Sequence, residues 1–224
     1  MCGTCGCDSD TRVVKLERDL TAKNDAIAKR NREWLATRKT SVVNLIGAPG
    51  AGKTALLEAT IRKVGSELDL AVLEGDQATD RDAERIRRAG CKVMQINTGT
   101  GCHLDASMVA AGLEELAPAP SSVVFVENVG NLVCPALFDL GERAKVVVMS
   151  VTEGDDKPLK YPHVFRAADL FVMTKIDLAT HVDFDIDRCI RNARIVHPEL
   201  EVIRVSARDG DGMESWAGWI RRIA

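Results

Sequence analysis

Apolar residues along this chain fall into two registers. From residue 10 to residue 38 they are sparse and spaced as on a helix: Val13, Leu20, Ile27 and Trp34 recur every seven residues inside a strongly charged segment. This places one narrow apolar stripe on a helix, which either docks on the chain's own domain or pairs with a partner helix. Beyond residue 38 the pattern changes to short, nearly continuous apolar runs rich in β-branched residues: SVVNLIG, LAVLEGD, CKVMQIN, SSVVFVEN, AKVVVMSV, LFVMTKID and LEVIRVSA. Runs without polar alternation belong to strands covered on both faces, and the helical segments between them supply the cover. The pattern predicts an α/β fold: a doubly wound, mostly parallel seven-stranded sheet with helices on both faces over 39–224, preceded by a helical arm over 10–38 and a short tip over 1–9. In the closing segment, Met213, Trp216 and Ile220 fall at helical spacing and read as core.

Composition narrows the function classes. The 224 residues are 46% hydrophobic and 28% charged with a net charge of -3, which suits one sizeable globular domain with an appendage. The basic excess that a nucleic-acid backbone requires is missing, so nucleic acid is not an expected partner. No apolar run reaches the length of a membrane span or of a secretory signal core, so the expectation is a cytoplasmic chain without a membrane partner. Seven cysteines in a reducing compartment are thiols, metal ligands or core residues rather than a disulfide framework.

In doubly wound sheets, ligands bind beyond the carboxyl ends of the strands. GAPGAGKT, Gly47 to Thr54, follows the first apolar run and opens a helical pattern, the context that the G-x-x-x-x-G-K-S/T phosphate loop requires. Gly47, Gly50, Ala51 and Gly52 let backbone N–H groups converge on phosphate oxygens, Lys53 adds a point charge, and the Thr54 hydroxyl completes a Mg²⁺ shell. Asp76 and Glu127 close two later runs; each is a magnesium-linked carboxylate or else a helix cap or loop charge. Lys53, Thr54, Asp76 and Glu127 form the expected catalytic set. TKID, Thr174 to Asp177, and SAR, Ser206 to Arg208, end later strands. Asp177 can accept from N1 and N2 of guanine, the Lys175 stem can lie over the base, and Ser206 and Ala207 can meet its oxygen, so the expected ligands are GTP and GDP. Thr174 stands where G proteins usually carry Asn, which predicts the loss of one tie to the phosphate loop. Hydrolysis is expected to be slow, because Asn131 follows ENVG where a water-positioning Gln is usual and no arginine finger is evident. Arg81, Arg85, Arg87 and Arg88 read as a solvated helix face.

A second set of residues suits soft metals. Cys102 and His103 follow the CKVMQIN run, and Cys134 lies seven residues beyond Glu127. Thiolates and imidazole ligate Zn²⁺, Ni²⁺ or copper, although each is also found simply buried in cores. Three ligands are too few to close a site, so water, a second copy of the chain or a partner must complete it. The tip offers Cys2, Cys5 and Cys7 as C-x-x-C-x-C, a compact thiolate set for Ni²⁺ or Zn²⁺ and not a thioredoxin-like motif, which needs a strand before it and a helix after. Cys91 and Cys189 read as core, and His163, His181 and His197 as structural or surface residues.

CGTCGC, GAPGAGKT, EGDQATDRDAERI, NTGTGCHLDASMV, ENVGNLVCP and TKIDL together resemble, over essentially the whole chain, the HypB family, SIMIBI-class P-loop GTPases that incorporate nickel into NiFe hydrogenase. The resemblance implies a GTP-hydrolysing nickel metallochaperone and a nucleotide- or metal-dependent homodimer with Cys102, His103 and Cys134 at or near the subunit interface. It also implies a separate nickel site at Cys2, Cys5 and Cys7, and transfer through a HypA-like partner to the hydrogenase large subunit. No histidine precedes His103, so the histidine-rich nickel-storage tract of some relatives is absent. A sister GTPase serving urease or a cobalamin enzyme would share the core. A metal buffer with a vestigial nucleotide site is the rival from another class, and intact Lys53, Thr54, Asp76 and Asp177 argue against it.

Overall fold

The computed structural model describes residues 7–76, 80–99 and 101–224, with side chains from Thr21 onward. A long helix, α1 (Cys7–Arg38), leads into alternating strands and helices: β1 (Ser41–Ile46), α2 (Lys53–Val64), β2 (Leu70–Asp76), α3 (Arg81–Arg88), β3 (Lys92–Asn97), α4 (Ala106–Leu116), β4 (Val123–Glu127), and the short α5 (Cys134–Leu137). β5 (Ala144–Ser150), α6 (Lys157–Lys160), α7 (Pro162–Ala167), β6 (Leu170–Thr174), α8 (Ile186–Val196), β7 (Glu201–Arg204) and α9 (Met213–Ile223) complete the order. The seven strands form one sheet in the order β3-β2-β4-β1-β5-β6-β7, and every pairing in it is parallel. The expected sheet is therefore present, and it is wholly rather than mostly parallel.

Side-chain alternation along the strands explains why helices cover both faces. Val43, Leu45, Val72, Phe125 and Val148 point to one face and pack with Leu56 and Leu57 of α2, Ile86 of α3, and Trp216 and Ile220 of α9. Val42, Leu73, Val124 and Val126 point the other way, against Leu35 of α1 and Val109 and Leu113 of α4. Further along that second face, Val147, Met149 and Phe171 meet Phe165 of α7 and Cys189 and Ala193 of α8. Met213, Trp216 and Ile220 are buried as expected. No helix among the described residues is long and apolar enough to cross a membrane.

The arm differs from its sequence pattern in two ways. Its helix begins at Cys7 rather than near residue 10, and it docks on a face one step round from the expected stripe. Ile27 is only half-buried and Trp34 is 38% exposed, whereas Asn24, Ala28, Asn31 and Leu35 are buried; Val13 and Leu20 lie outside the described side chains. Hydrogen bonding decides the face. Asn31 Nδ2 donates to Ala106 O at 2.8 Å and to Leu140 O at 3.0 Å, and Asn24 accepts from Ala106 N at 2.9 Å while donating to Asp139 O at 2.7 Å. Ala106 N, in the first turn of α4, and the loop carbonyls of Asp139 and Leu140 have no ladder to join, and the two amides serve them. Gly141, at φ 87, permits the contact: a Cβ there would stand 2.6 Å from Ala28 O.

Candidate nucleotide and metal sites

β1 ends at Ile46, and the chain curls through the glycine-rich loop into α2. A Cβ on Gly47 would lie 2.4 Å from Val148 O, and Gly52 adopts φ 90, so both positions exclude larger residues. Lys53 is buried and folds back, its Nζ donating to Gly47 O at 3.2 Å and Ala48 O at 3.5 Å. Burial lowers its pKa, and the Glu127 charge is the largest opposing influence. Thr54 Oγ1 donates to Glu127 Oε1 at 2.7 Å.

This loop borders a cavity of about 430 Å³ whose other walls include Glu74, Asp76, Asp82, Arg85 and Glu127. Strand register sets Glu74 directly beside Glu127. Burial pushes the Glu127 carboxyl up to about 7 against the pull of Lys53 and Thr54. Burial, then the neighbouring Glu127 charge, pushes Glu74 up to about 8. The Oε2 atoms of both are buried without a hydrogen-bond partner among the described residues. All-oxygen donors with orphaned acceptors fit a hard divalent cation such as Mg²⁺.

At the far side, Lys175 is held in the left-handed region at φ 58, and its Nζ donates to Gly50 O at 2.8 Å. The tie expected to be lost at position 174 is present: Thr174 Oγ1 donates to Ala51 O at 2.6 Å. A buried hydroxyl on the last residue of β6 reaches the loop carbonyl that a longer amide would otherwise meet. Asp177 Oδ1 accepts from the buried Ser206 Oγ at 2.8 Å, and Ala207 follows on the same turn. The carboxylate and the SAR turn are thus joined beyond the ends of β6 and β7, outside the lining of the cavity.

The soft ligands also converge. The ligand atoms of Cys102, His103 and Cys134 lie within 4.8 Å of one another, the one cluster of its kind among the described residues. Cys102 Sγ and His103 Nδ1 are 3.6 Å apart, and the His103 ring stacks on Phe138 with centroids 4.0 Å apart. Burial lowers the imidazole pKa, keeping the neutral, ligating form. Hydrogen bonding with Cys134 is the main cause raising the Cys102 thiol. Asn131 stands between the two sites: its backbone bridges to Gly47, its Nδ2 donates to Cys102 O at 3.4 Å, and its Oδ1 accepts from Val133 N at 2.8 Å.

The family description CobW/HypB/UreG, nucleotide-binding domain, matches residues 41–204. The hydrogenase maturation factor HypB of Azotobacter chroococcum mcd 1 is 54% identical over 214 residues, covering 96% of this chain and 70% of that protein. The chain belongs to the HypB family. Two crystal structures of HypB proteins share its fold. That of the Archaeoglobus fulgidus hydrogenase maturation factor HypB is 42% identical with a TM-score of 0.84, covering 90% of this chain and 98% of that one. That of Helicobacter pylori HypB in complex with nickel is 34% identical with a TM-score of 0.83, covering 89% and 94%.

In this HypB chain several residues of interest were not anticipated from sequence. Glu74 and Asp82 line the cavity; the signal for Glu74 was an acid inside the otherwise apolar LAVLEGD run. Arg85 departs from the solvated face expected of its helix. It lines the cavity and donates to Glu58 at 3.1 and 2.7 Å and to Asp82 at 3.2 Å, while Arg81, Arg87 and Arg88 are exposed as expected. Cys91 and Cys189 are buried, their thiols pushed up to about 11 and about 12 by desolvation. His163 and His181 are exposed, and His197 Nδ1 lies 3.3 Å from Phe165 O. Cys2 and Cys5 lie outside the described residues, and Cys7 opens α1 with its side chain outside them.

Proposed function

We propose that this chain is a GTP-hydrolysing nickel metallochaperone of the cytoplasm that delivers Ni²⁺ to the large subunit of a NiFe hydrogenase during maturation. The segment from Glu127 to Cys134 carries the reading: it starts at the phosphate cavity, is pinned to Gly47 through Asn131, and ends in the cysteine–histidine cluster. Loss of a terminal phosphate would shift this segment and so move Cys134 relative to Cys102 and His103, making nickel affinity depend on the nucleotide.

Each residue has a definite task in this scheme. Gly47, Gly50, Ala51 and Gly52 wrap the phosphates, and Lys53 leaves its loop carbonyls to meet the β and γ oxygens. Thr54, Asp76 and Glu127 hold magnesium, whose charge neutralises the phosphates. Asp177 selects guanine, because adenine would leave the carboxylate without donors; Thr174, Lys175, Ser206 and Ala207 shape the base site. Hydrolysis is slow, since Asn131 is engaged by both loops and cannot orient a water as a free Gln does. Residues 39–224 form the GTPase domain, and the helical arm before it carries a leader in which Cys2, Cys5 and Cys7 bind a separate nickel or zinc ion.

A homodimer completes the core metal site, which can also accept zinc. Three ligands leave the shell open, and Val133 and Leu137 beside Cys134 are 51% and 57% exposed, an apolar rim suited to a second copy. A HypA-like protein then relays the nickel. Nickel titration of the purified chain with GDP and with a non-hydrolysable GTP analogue, followed by sizing chromatography, tests the scheme. Different affinities in the two forms are expected, together with measurable GTP turnover. Undiminished nickel binding with no turnover would instead mark a metal buffer.

A further inference from the structure

We propose that Glu74 is a third carboxylate of the nucleotide-site cation, accepting hydrogen bonds from water that the cation holds. This rests on the nucleotide and magnesium reading above and deepens it.

Glu74 sits in an interior strand of the sheet, 2% exposed, after the buried apolar residues Ala71, Val72 and Leu73. An ordinary core position there would be apolar, since a buried carboxylate without a partner is costly. Its Oε2 has no hydrogen-bond partner among the described residues, and it lines the phosphate cavity. Parallel register puts it level with Glu127 on the adjacent strand. Leu73 and Val126 face the other side of the sheet, so both glutamates face α2 and the phosphate loop. Two carboxylates side by side in a buried site repel unless a cation lies between or near them.

The nearby cations are committed elsewhere. Lys53 Nζ is bonded to Gly47 O and Ala48 O, and Arg85 to Glu58 and Asp82. No described lysine or arginine forms an ion pair with Glu74. Glu74, Asp76 and Glu127 do not close into a cage like that of Cys102, His103 and Cys134, which excludes three direct bonds to one ion in this geometry. Magnesium keeps several of its waters when bound to protein, so a carboxylate outside its direct ligands can act on it through one of them.

Outer-shell partners of this kind change metal affinity by about 10- to 100-fold. The test uses the full chain loaded with GDP and Mn²⁺ as a spin-visible probe, with wild type, Glu74→Gln and Glu74→Asp compared by electron paramagnetic resonance. Mn²⁺ affinity is expected to fall by about 10- to 100-fold in Glu74→Gln and to recover in part in Glu74→Asp, with GDP affinity in EDTA unchanged. Wild-type Mn²⁺ affinity in Glu74→Gln overturns the assignment. Should that variant not fold, wild-type affinity in Glu74→Ala overturns it equally. A wild-type chain that binds no guanine nucleotide overturns the pocket reading first and Glu74 with it, whereas intact nucleotide and Mn²⁺ binding with silent variants sinks Glu74 alone.

Discussion

At position 174 a threonine hydroxyl donates to Ala51 O at 2.6 Å, doing from a short side chain what G proteins usually do with an amide. Thr174→Val keeps the shape and removes the donor, so it should cost about 1 kcal/mol of stability in urea unfolding and weaken GDP binding, whereas Thr174→Asn should retain both. The core metal cluster makes a second prediction at this scale. The Cys102 thiol is raised, chiefly by its hydrogen bond with Cys134, so the metal-free site holds its protons, and a metal must displace them. Nickel affinity measured by chelator competition should therefore fall as the medium is taken from about pH 8 to about pH 6. A pH-independent affinity would mean that the thiolates are not the ligands.

Among the elements, α1 departs furthest from the packing its own pattern suggests. The seven-residue stripe points to Ile27 and Trp34, yet the docked face carries Asn24 and Asn31. Asn31 Nδ2 donates to Leu140 O, a loop carbonyl, and also to Ala106 O at the start of α4. Asn31→Leu adds an apolar side chain to the helix and should nonetheless destabilise its docking by about 1–3 kcal/mol, because buried acceptors lose their donor. Faster hydrogen exchange over residues 21–38 is the readout. Trp34→Ser, on the exposed stripe, should leave that exchange unchanged. The strands behave in the opposite way: all seven apolar runs became strands, with β1, β2, β4, β5 and β6 buried along nearly their whole length and the edge strands β3 and β7 only partly.

Across the whole molecule, the phosphate loop, the carboxylates and the soft ligands gather at one edge of the sheet because parallel strands deliver all their carboxyl ends there. Asn131 links the two sites through Gly47 and Cys102. Asn131→Ala should bring the nickel affinities of the GDP and GTP-analogue forms closer together without abolishing either binding event. By reciprocity the effect of nickel on nucleotide affinity should shrink by the same factor. Exchange of Cys2, Cys5 and Cys7 for alanine should remove one metal equivalent and leave GTP turnover nearly unchanged, as metal analysis and phosphate release would show. Collapse of turnover in that variant would mean that the leader and the core do not act separately.

Features set by near neighbours in the chain were legible in advance: the strand runs, the phosphate loop from Gly47 to Thr54, the TKID and SAR turns, and the pairing of Cys102 with His103. These depend on backbone conformation and period, which short stretches of residues dictate. The grouping of Cys134 with that pair was also expected, from the chemistry of the ligands and the family resemblance rather than from local pattern. The pairing of Glu74 with Glu127, the engagement of Arg85 and the docked face of α1 depend on which strands lie side by side and which buried polar groups lack partners. Those are facts about segments far apart in the chain, and they come into being only when the sheet assembles around its buried faces.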